Sequence, residues 1–307
     1  MNLRSILDRL APFNSNRRML LRTLREVAQA PRSLPARLTG TNFANLMAYR
    51  SHRFDCPVCG RNETPLYDFP DLQLRREHRI GVLRETLQCR HCFASMRQRC
   101  LALALLDHLN ERWSTHIASV SELAAHGLGG LRILDSDNFS PMSTLLSGVP
   151  GYTRCSYLPD RPWGTEIAPG YFNIDLQRID FPSESFDVVL TSDVMEHVRD
   201  CDVAHAQIHR VLKPGGAYVF NVPYAEESEG DIRLVDTSSG KDIFLCAPHY
   251  HGDPLTGGIL AYRIFGRELI RKLEDLGFAV AFRRIEQPSS LVIDGDVFLA
   301  RKQGQTS

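Results

Sequence analysis

The sequence predicts an α/β protein built on a doubly wound, mostly parallel sheet of seven strands. Three observations carry that reading: beyond Gly130 short apolar runs alternate with helical patterns, the helical runs stop at Pro214 and Gly277, and hydrophobic residues make up 43% of 307 positions, enough for a large core. The strands are LRILD (131–135), YTRCSYL (152–158), YFNIDL (171–176), FDVVLTS (186–192), GAYVFNVP (216–223), AVAFRRI (279–285) and LVIDGDVFLARK (291–302). Between them SPMSTLLSG, DVAHAQIHRVLKP and FGRELIRKLEDLGF read as helices. Residues 224–262 break the alternation. Rich in Gly, Asp, Tyr and His, they read as an insertion over the carboxyl ends of the strands, where open sheets bind ligands.

The length fits about two domains. Residues 1–50 form a basic arm and linker, in which Leu3, Ile6, Leu7 and Leu10, then Leu20, Leu21, Leu24 and Val27, recur at helical spacing. Nine arginines stand there against Asp8 and Glu26. Residues 51–100 form a cysteine module, 101–128 a connecting helix that begins in the apolar run from Leu101, and 129–304 the sheet domain. Over the whole chain 36 basic side chains cancel 36 acidic ones, which disfavours a general polyanion-binding role. The start, MNLRSILDRLAPF, carries too much charge for a secretory segment, and no stretch reaches the ~20 apolar residues of a spanning helix. A cytoplasmic location is expected.

Cys56-Pro-Val-Cys59 and Cys89-Arg-His-Cys92 form two C-x2-C pairs separated by 29 residues. Two residues between thiols let one tight turn present both sulfurs to one ion, and a second such turn completes the tetrahedral set that Zn2+ favours. Gly60 follows the first pair, where the turn requires positive φ. Four sulfurs leave no open position, so a zinc ion on Cys56, Cys59, Cys89 and Cys92 is expected to be structural, in a zinc-ribbon-like module. Arg97 and Arg99, on the helix that follows, could either bind phosphate or nucleic acid or lie solvated at the surface.

The segment FNIDLQRIDFPSESFDVVLTSDVMEHVRDCDVAHAQIHRVLKPGGAYVFNVP, from Phe172 to Pro223, carries most of the functional information. An acidic residue after the third strand is followed by a hydrophobic-Pro turn, a Ser-Phe-Asp fourth strand, Glu-His-Val, a helix and Leu-Lys-Pro-Gly-Gly. In these features it resembles class I S-adenosylmethionine-dependent methyltransferases of the type 11 kind, over about residues 130–302. The resemblance implies a Rossmann-like methyltransferase sheet, S-adenosylmethionine as cofactor, Asp135 and Asp175 beside it, and groups near the reacting methyl at Asp193, Glu196 and His197. Asp175, at a strand's carboxyl end, can accept from an adenine amino group through its carboxylate or the backbone next to it, at Leu176. Glu196 and His197 have a second reading, as a tie between helix and sheet.

Two places depart from the family pattern. After Asp135 the loop reads SDNFSPMS, with Asp137, Phe139 and Pro141 where spaced glycines are usual, so Ser136, Asn138 and Ser140 must substitute with hydroxyl and amide contacts. At the end of the second strand Ser156 stands near the expected acidic position, with Asp160 a few residues late. On the acceptor side, His249-Tyr250-His251 in the insertion joins His197 as the candidate polar and proton-accepting set. The expected function is methylation at oxygen or nitrogen of a small-molecule or glycan-like acceptor, with peripheral membrane contact through the basic arm as a further expectation. The alternatives are a non-catalytic relative acting through the zinc module and arm, or an RNA methyltransferase, which the balanced charge disfavours.

Overall fold

The computed structural model describes residues 47–67, 83–136, 140–251 and 258–304. The expected arm helices and Asn138 therefore lie outside the described residues. Two compact units emerge: one comprises the described residues up to 127 with 140–149 and 284–296, the other 128–136, 150–283 and 297–304.

The first unit begins with β1 (Phe54–Asp55) and β2 (Asn62–Glu63), which pair antiparallel, and continues through β3 (Pro65–Tyr67), α1 (Leu83–Thr86) and β4 (Leu87–Cys89), with Leu66 opposite Gln88. Helix α2 (Met96–Trp113) follows. Its start is set by a capping box: the Gln98 N–H donates to Ser95 Oγ at 3.4 Å while the Ser95 N–H donates to Gln98 Oε1 at 3.0 Å. Its end is set by Ser114 at φ 52, after which the Asn110 side chain holds the chain through Ile117. A second, separate helix, α3 (Val120–His126), occupies the rest of the predicted connection, and α4 (Pro141–Leu146) is capped by Ser140, whose Oγ accepts from the Ser143 N–H at 3.0 Å.

Arg99 lies inside this unit, fully buried, and not at its surface. Its guanidinium donates to the carbonyls of Ser290, Leu87, Ala94 and Leu291 at 2.7–3.1 Å and packs over the Phe54 ring. A surface or phosphate-binding role for Arg99 is thus corrected: its donors are spent on backbone acceptors. Arg97 pairs with Glu85 at 2.9 Å.

The second unit is organised by β5 (Ile133–Asp135), β6 (Tyr152–Ser156), β7 (Glu166–Ala168), β8 (Tyr171–Asn173), β9 (Phe186–Ser192) and β10 (Leu212–Asn221). Short pairs β11 (Ile232–Arg233) to β16 (Arg263–Ile264) follow, and then the long strands β17 (Phe278–Gln287) and β18 (Val292–Lys302), of which 278–283 and 297–302 belong to this unit. The main sheet runs β17-β18-β10-β9-β5-β6-β8-β7. Strands β10, β9, β5, β6 and β8 are mutually parallel, while β18 runs antiparallel to β10. This is the doubly wound, Rossmann-like sheet expected, with winding reversed between β5 and β9. All seven residues of β9 are buried, as a central parallel strand requires.

Among the described residues the sheet has eight strands where seven were predicted. The extra one, β7, is an antiparallel edge of three half-exposed or exposed residues set among Pro162, Gly164, Pro169 and Gly170, a composition that reads as loop. Helix α5 (Cys201–Val211) also stops three residues before Pro214. Lys213-Pro214-Gly215-Gly216 instead forms an irregularity inside β10, where Gly215 takes φ 71 and a Cβ on Gly216 would meet the Asp187 carbonyl at 2.8 Å. Lys213 Nζ reaches Asp187 at 2.8 Å, so the Ser-Phe-Asp aspartate ties strand to strand.

The insertion folds into three small antiparallel pairs: β11 with β16, β12 (Val235–Asp236) with β13 (Ile243–Phe244), and β14 (Tyr250–His251) with β15 (Ile259–Leu260). Helix α6 (Glu268–Asp275) then returns to the sheet and buries Leu269 and Leu273 in its core. No helix among the described residues is long and apolar enough to cross a membrane.

Candidate functional site

The two C-x2-C pairs bring their four sulfurs to within 4.8 Å of one another, with Cys56 Sγ 3.7 Å from Cys92 Sγ and Cys59 Sγ 3.8 Å from Cys89 Sγ. Each pair sits on a one-residue-overshot turn. The Gly60 N–H donates to the Cys56 carbonyl at 2.8 Å with Gly60 at φ 73, and the Phe93 N–H donates to the Cys89 carbonyl at 2.8 Å with Phe93 at φ 64. Hydrogen bonds from Cys56 hold the Cys59 and Cys89 thiols below their ordinary range. Cys56 and Cys92 shift the opposite way, held up by the neighbouring sulfurs, so the four thiols share their protons unequally.

The second site lies at the carboxyl ends of the parallel strands, where apolar runs give way to polar residues. Asp135, at the end of β5, is buried and accepts from the Tyr152 hydroxyl at 2.8 Å. Ser136 turns back on the sheet, its N–H and hydroxyl both donating to the Leu190 carbonyl. At the end of β6 the Ser156 hydroxyl shares a hydrogen bond of 2.6 Å with Tyr171, and Asp160 is exposed. Asp175 is half-buried and accepts from the Gln177 N–H at 2.9 Å, with Leu176 buried beside it. Asp193 takes φ 48 after β9 and donates its N–H to the Asn221 carbonyl. The buried Asn221 Nδ2 has no hydrogen-bond partner among the described residues, an orphaned donor at the end of β10 that suits a polar ligand.

The 3-10 turn Met195–His197 places Glu196 and His197 just beyond β9, and β14 brings His251 to them. His197 Nδ1 lies 2.8 Å from the Leu260 carbonyl, an acceptor only, so Nδ1 carries a proton and, in the neutral ring, Nε2 is the lone-pair nitrogen. His197 Nε2 faces His251 Nδ1 at 3.2 Å, and each lies 3.6 Å from Glu196 Oε1. Glu196 is fully buried, and neither carboxylate oxygen has a hydrogen-bond partner among the described residues. Its carboxylate holds His251 above the ordinary imidazole range.

Of the three histidines named from sequence, the fold thus joins His197 and His251 and leaves His249 exposed, engaged through its backbone carbonyl with the Ala261 N–H. Glu196 enters as an equal member of the group. Its signal was its position beside His197, but no spacing rule connects it to His251, which is reached only through the β14–β15 hairpin.

Residues 161–220 match the family model of a methyltransferase domain. Over 115 residues it is 27% identical to sterol 24-C-methyltransferase of Yarrowia lipolytica, covering 37% of this chain and 27% of that protein's length. The chain therefore spans little more than a quarter of that curated relative. Among solved structures it is similar to an S-adenosylmethionine-dependent methyltransferase from Mesorhizobium loti (16% identity, TM-score 0.38, covering 68% of this chain and 98% of the other). It is also similar to the YcgJ protein of Bacillus subtilis (12% identity, TM-score 0.38, 62% and 100%).

Proposed function

We propose that this chain is an S-adenosylmethionine-dependent methyltransferase, supported by its match to a methyltransferase-domain model over residues 161–220, and that it transfers the methyl group to an oxygen or nitrogen of a small-molecule or glycan-like acceptor. The observation that carries the acceptor side is the Glu196–His197–His251 group just beyond β9, half open to solvent through His251, whose side chain is 43% exposed. The insertion around it exposes Phe244 and Tyr250, rings suited to stack on a sugar face.

Bound S-adenosylmethionine would supply a methyl on a sulfonium, which leaves in line as the C–S bond breaks and sulfur keeps the electron pair. This chain's residues do the rest. Asp135, Asp175 and the Asn221 amide offer polar contacts along the strand ends, on which alignment of the reacting atoms depends. The acceptor atom forms the new bond with its lone pair, and its proton passes to an imidazole of the His197–His251 pair, whose charge the buried Glu196 stabilises.

The cysteine cluster is read as a structural zinc site. Four sulfurs each ~2.3 Å from one ion in a tetrahedron stand roughly 3.8 Å apart, and the observed 3.7 and 3.8 Å match that edge. The basic arm at 1–50, with its arginine excess, adds a proposed contact with an anionic membrane surface.

Calorimetry of the zinc-loaded chain with S-adenosylmethionine tests the cofactor assignment. Micromolar binding is expected, weakened about 10- to 100-fold in Asp135→Asn, the scale of a lost hydrogen bond to a charged group. Absence of binding at millimolar ligand would overturn it and leave the non-catalytic reading.

A further inference from the structure

We propose that Glu196, His197 and His251 form a binding site for a single divalent transition-metal cation, separate from the four-cysteine cluster. The three candidate ligand atoms make a near-regular triangle with sides of 3.2, 3.6 and 3.6 Å. Ligands ~2.1 Å from one ion at angles between 90° and 110° stand roughly 3.0 to 3.4 Å apart, so a small inward adjustment closes the triangle around an ion. The triangle is one face of a coordination shell.

Three independent features point to a cation. Glu196 is 0% exposed, and both carboxyl oxygens lack a hydrogen-bond partner among the described residues, the His197 and His251 nitrogens standing at 3.6 Å, so a buried carboxyl group lacks the close donors that normally accompany one. His197 donates from Nδ1 to the Leu260 carbonyl, which in the neutral ring leaves Nε2 as the lone pair facing the site, the arrangement that orients metal-ligating imidazoles. His251 completes the set from the opposite side, with Nδ1 directed at both neighbours. Two imidazoles and one carboxylate on one face suit Fe2+, Co2+, Ni2+, Mn2+ or Zn2+ and leave the opposite positions open.

Resting on the methyltransferase reading above, the open positions are the place for an acceptor oxygen, which narrows the acceptor to a hydroxyl-bearing molecule. A cation there lowers the pKa of a bound hydroxyl, whose proton is lost to water before transfer, so with the ion bound the side chains act through it and the imidazole pair takes the proton only in the ion-free protein.

The full, zinc-loaded chain titrated with Co2+ tests the site. One Co2+ beyond the zinc is expected, with the weak visible bands of nitrogen and oxygen ligation and without the intense near-ultraviolet band of thiolate ligation. Glu196→Gln, which preserves shape in the buried position, and His251→Ala, at a half-exposed one, should each weaken Co2+ binding at least tenfold, while His249→Ala leaves it unchanged. No second ion in the wild type, a thiolate band, undiminished binding in Glu196→Gln, or an equal loss in His249→Ala would each overturn the proposal. S-adenosylmethionine binding measured on the same samples separates the two readings. Lost Co2+ binding with intact cofactor binding removes the ion alone, and intact Co2+ binding without cofactor binding removes the methyltransferase reading and leaves the metal site.

Discussion

The four-cysteine cluster and the Glu196–His197–His251 group each gather their ligand atoms to within 4.8 Å, yet they are built by opposite routes. The first is made by two local turns, each fixed by its own backbone hydrogen bond and a positive-φ residue. The second is made by one turn after β9 and one hairpin strand 54 residues further along the chain. Local construction yields a closed set of four equivalent donors. Distant construction yields an incomplete set around a buried charge, with one side open. On the proposed reading, the contrast separates a site that holds a fold together from a site with room for chemistry.

The largest effect that could break this contrast is expected in Cys56→Ser. Structural zinc ligation carries on the order of 10 kcal/mol, so the variant should lose its zinc and its protection against proteolysis across 54–67, 87–113 and 284–296. A zinc-free variant that unfolds like the wild type would end the structural assignment. A smaller loss is expected for Arg99→Leu, which strips donors from four carbonyls. Removing one partner of such a buried charged network costs about 3 to 5 kcal/mol, readable by denaturant titration, and a loss below about 1 kcal/mol would show that water replaces the guanidinium.

The third prediction is smaller still and concerns the sheet unit. His205 is buried among Tyr218, Phe220 and Phe265 with neither ring nitrogen hydrogen-bonded among the described residues, and burial pushes its pKa down to about 4. A histidine depressed in the folded state binds its proton more readily when unfolded. Stability is therefore full above about pH 6.5, falls as pH drops from there toward about 4, and then levels, for a total of up to ~3 kcal/mol. Denaturation midpoints between pH 7 and pH 4 should show that fall, and His205→Phe should flatten it. His251 shifts the opposite way because Glu196 stands beside it, so the two histidines of one unit separate burial from charge as causes.

Much of this was legible in the sequence for identifiable reasons. The C-x2-C pairs are legible because two sulfurs three positions apart are close whatever the rest of the chain does. The central strand FDVVLTS coincides with β9 to the residue: all seven positions are buried, around the β-branched and apolar run Val188–Leu190. Other features depend on register between distant segments, which periodicity does not record. Arg99 looked like an outward arginine on a helix because nothing in its neighbourhood announces the carbonyls of Ser290 and Leu291. The partnership of His197 with His251, and not His249, depends on where the β14–β15 hairpin pairs, a register invisible in composition. The Lys-Pro-Gly-Gly motif was placed at a helix end, whereas Lys213 is held in β10 by a carboxylate 26 residues earlier.

The clamp on Arg99 also has a meaning in time. Two of the four carbonyls it holds come from residues 290 and 291, which follow it by 191 and 192 positions. At ~5 to 20 residues per second, the ribosome adds those residues on the order of 10 to 40 seconds after Arg99 itself. During that interval the nascent cysteine unit carries a buried-type cation with half of its acceptors still unmade. On the zinc reading proposed above, an early zinc ion on the four thiols would be the device that holds this half-built unit in register until residues 290 and 291 arrive.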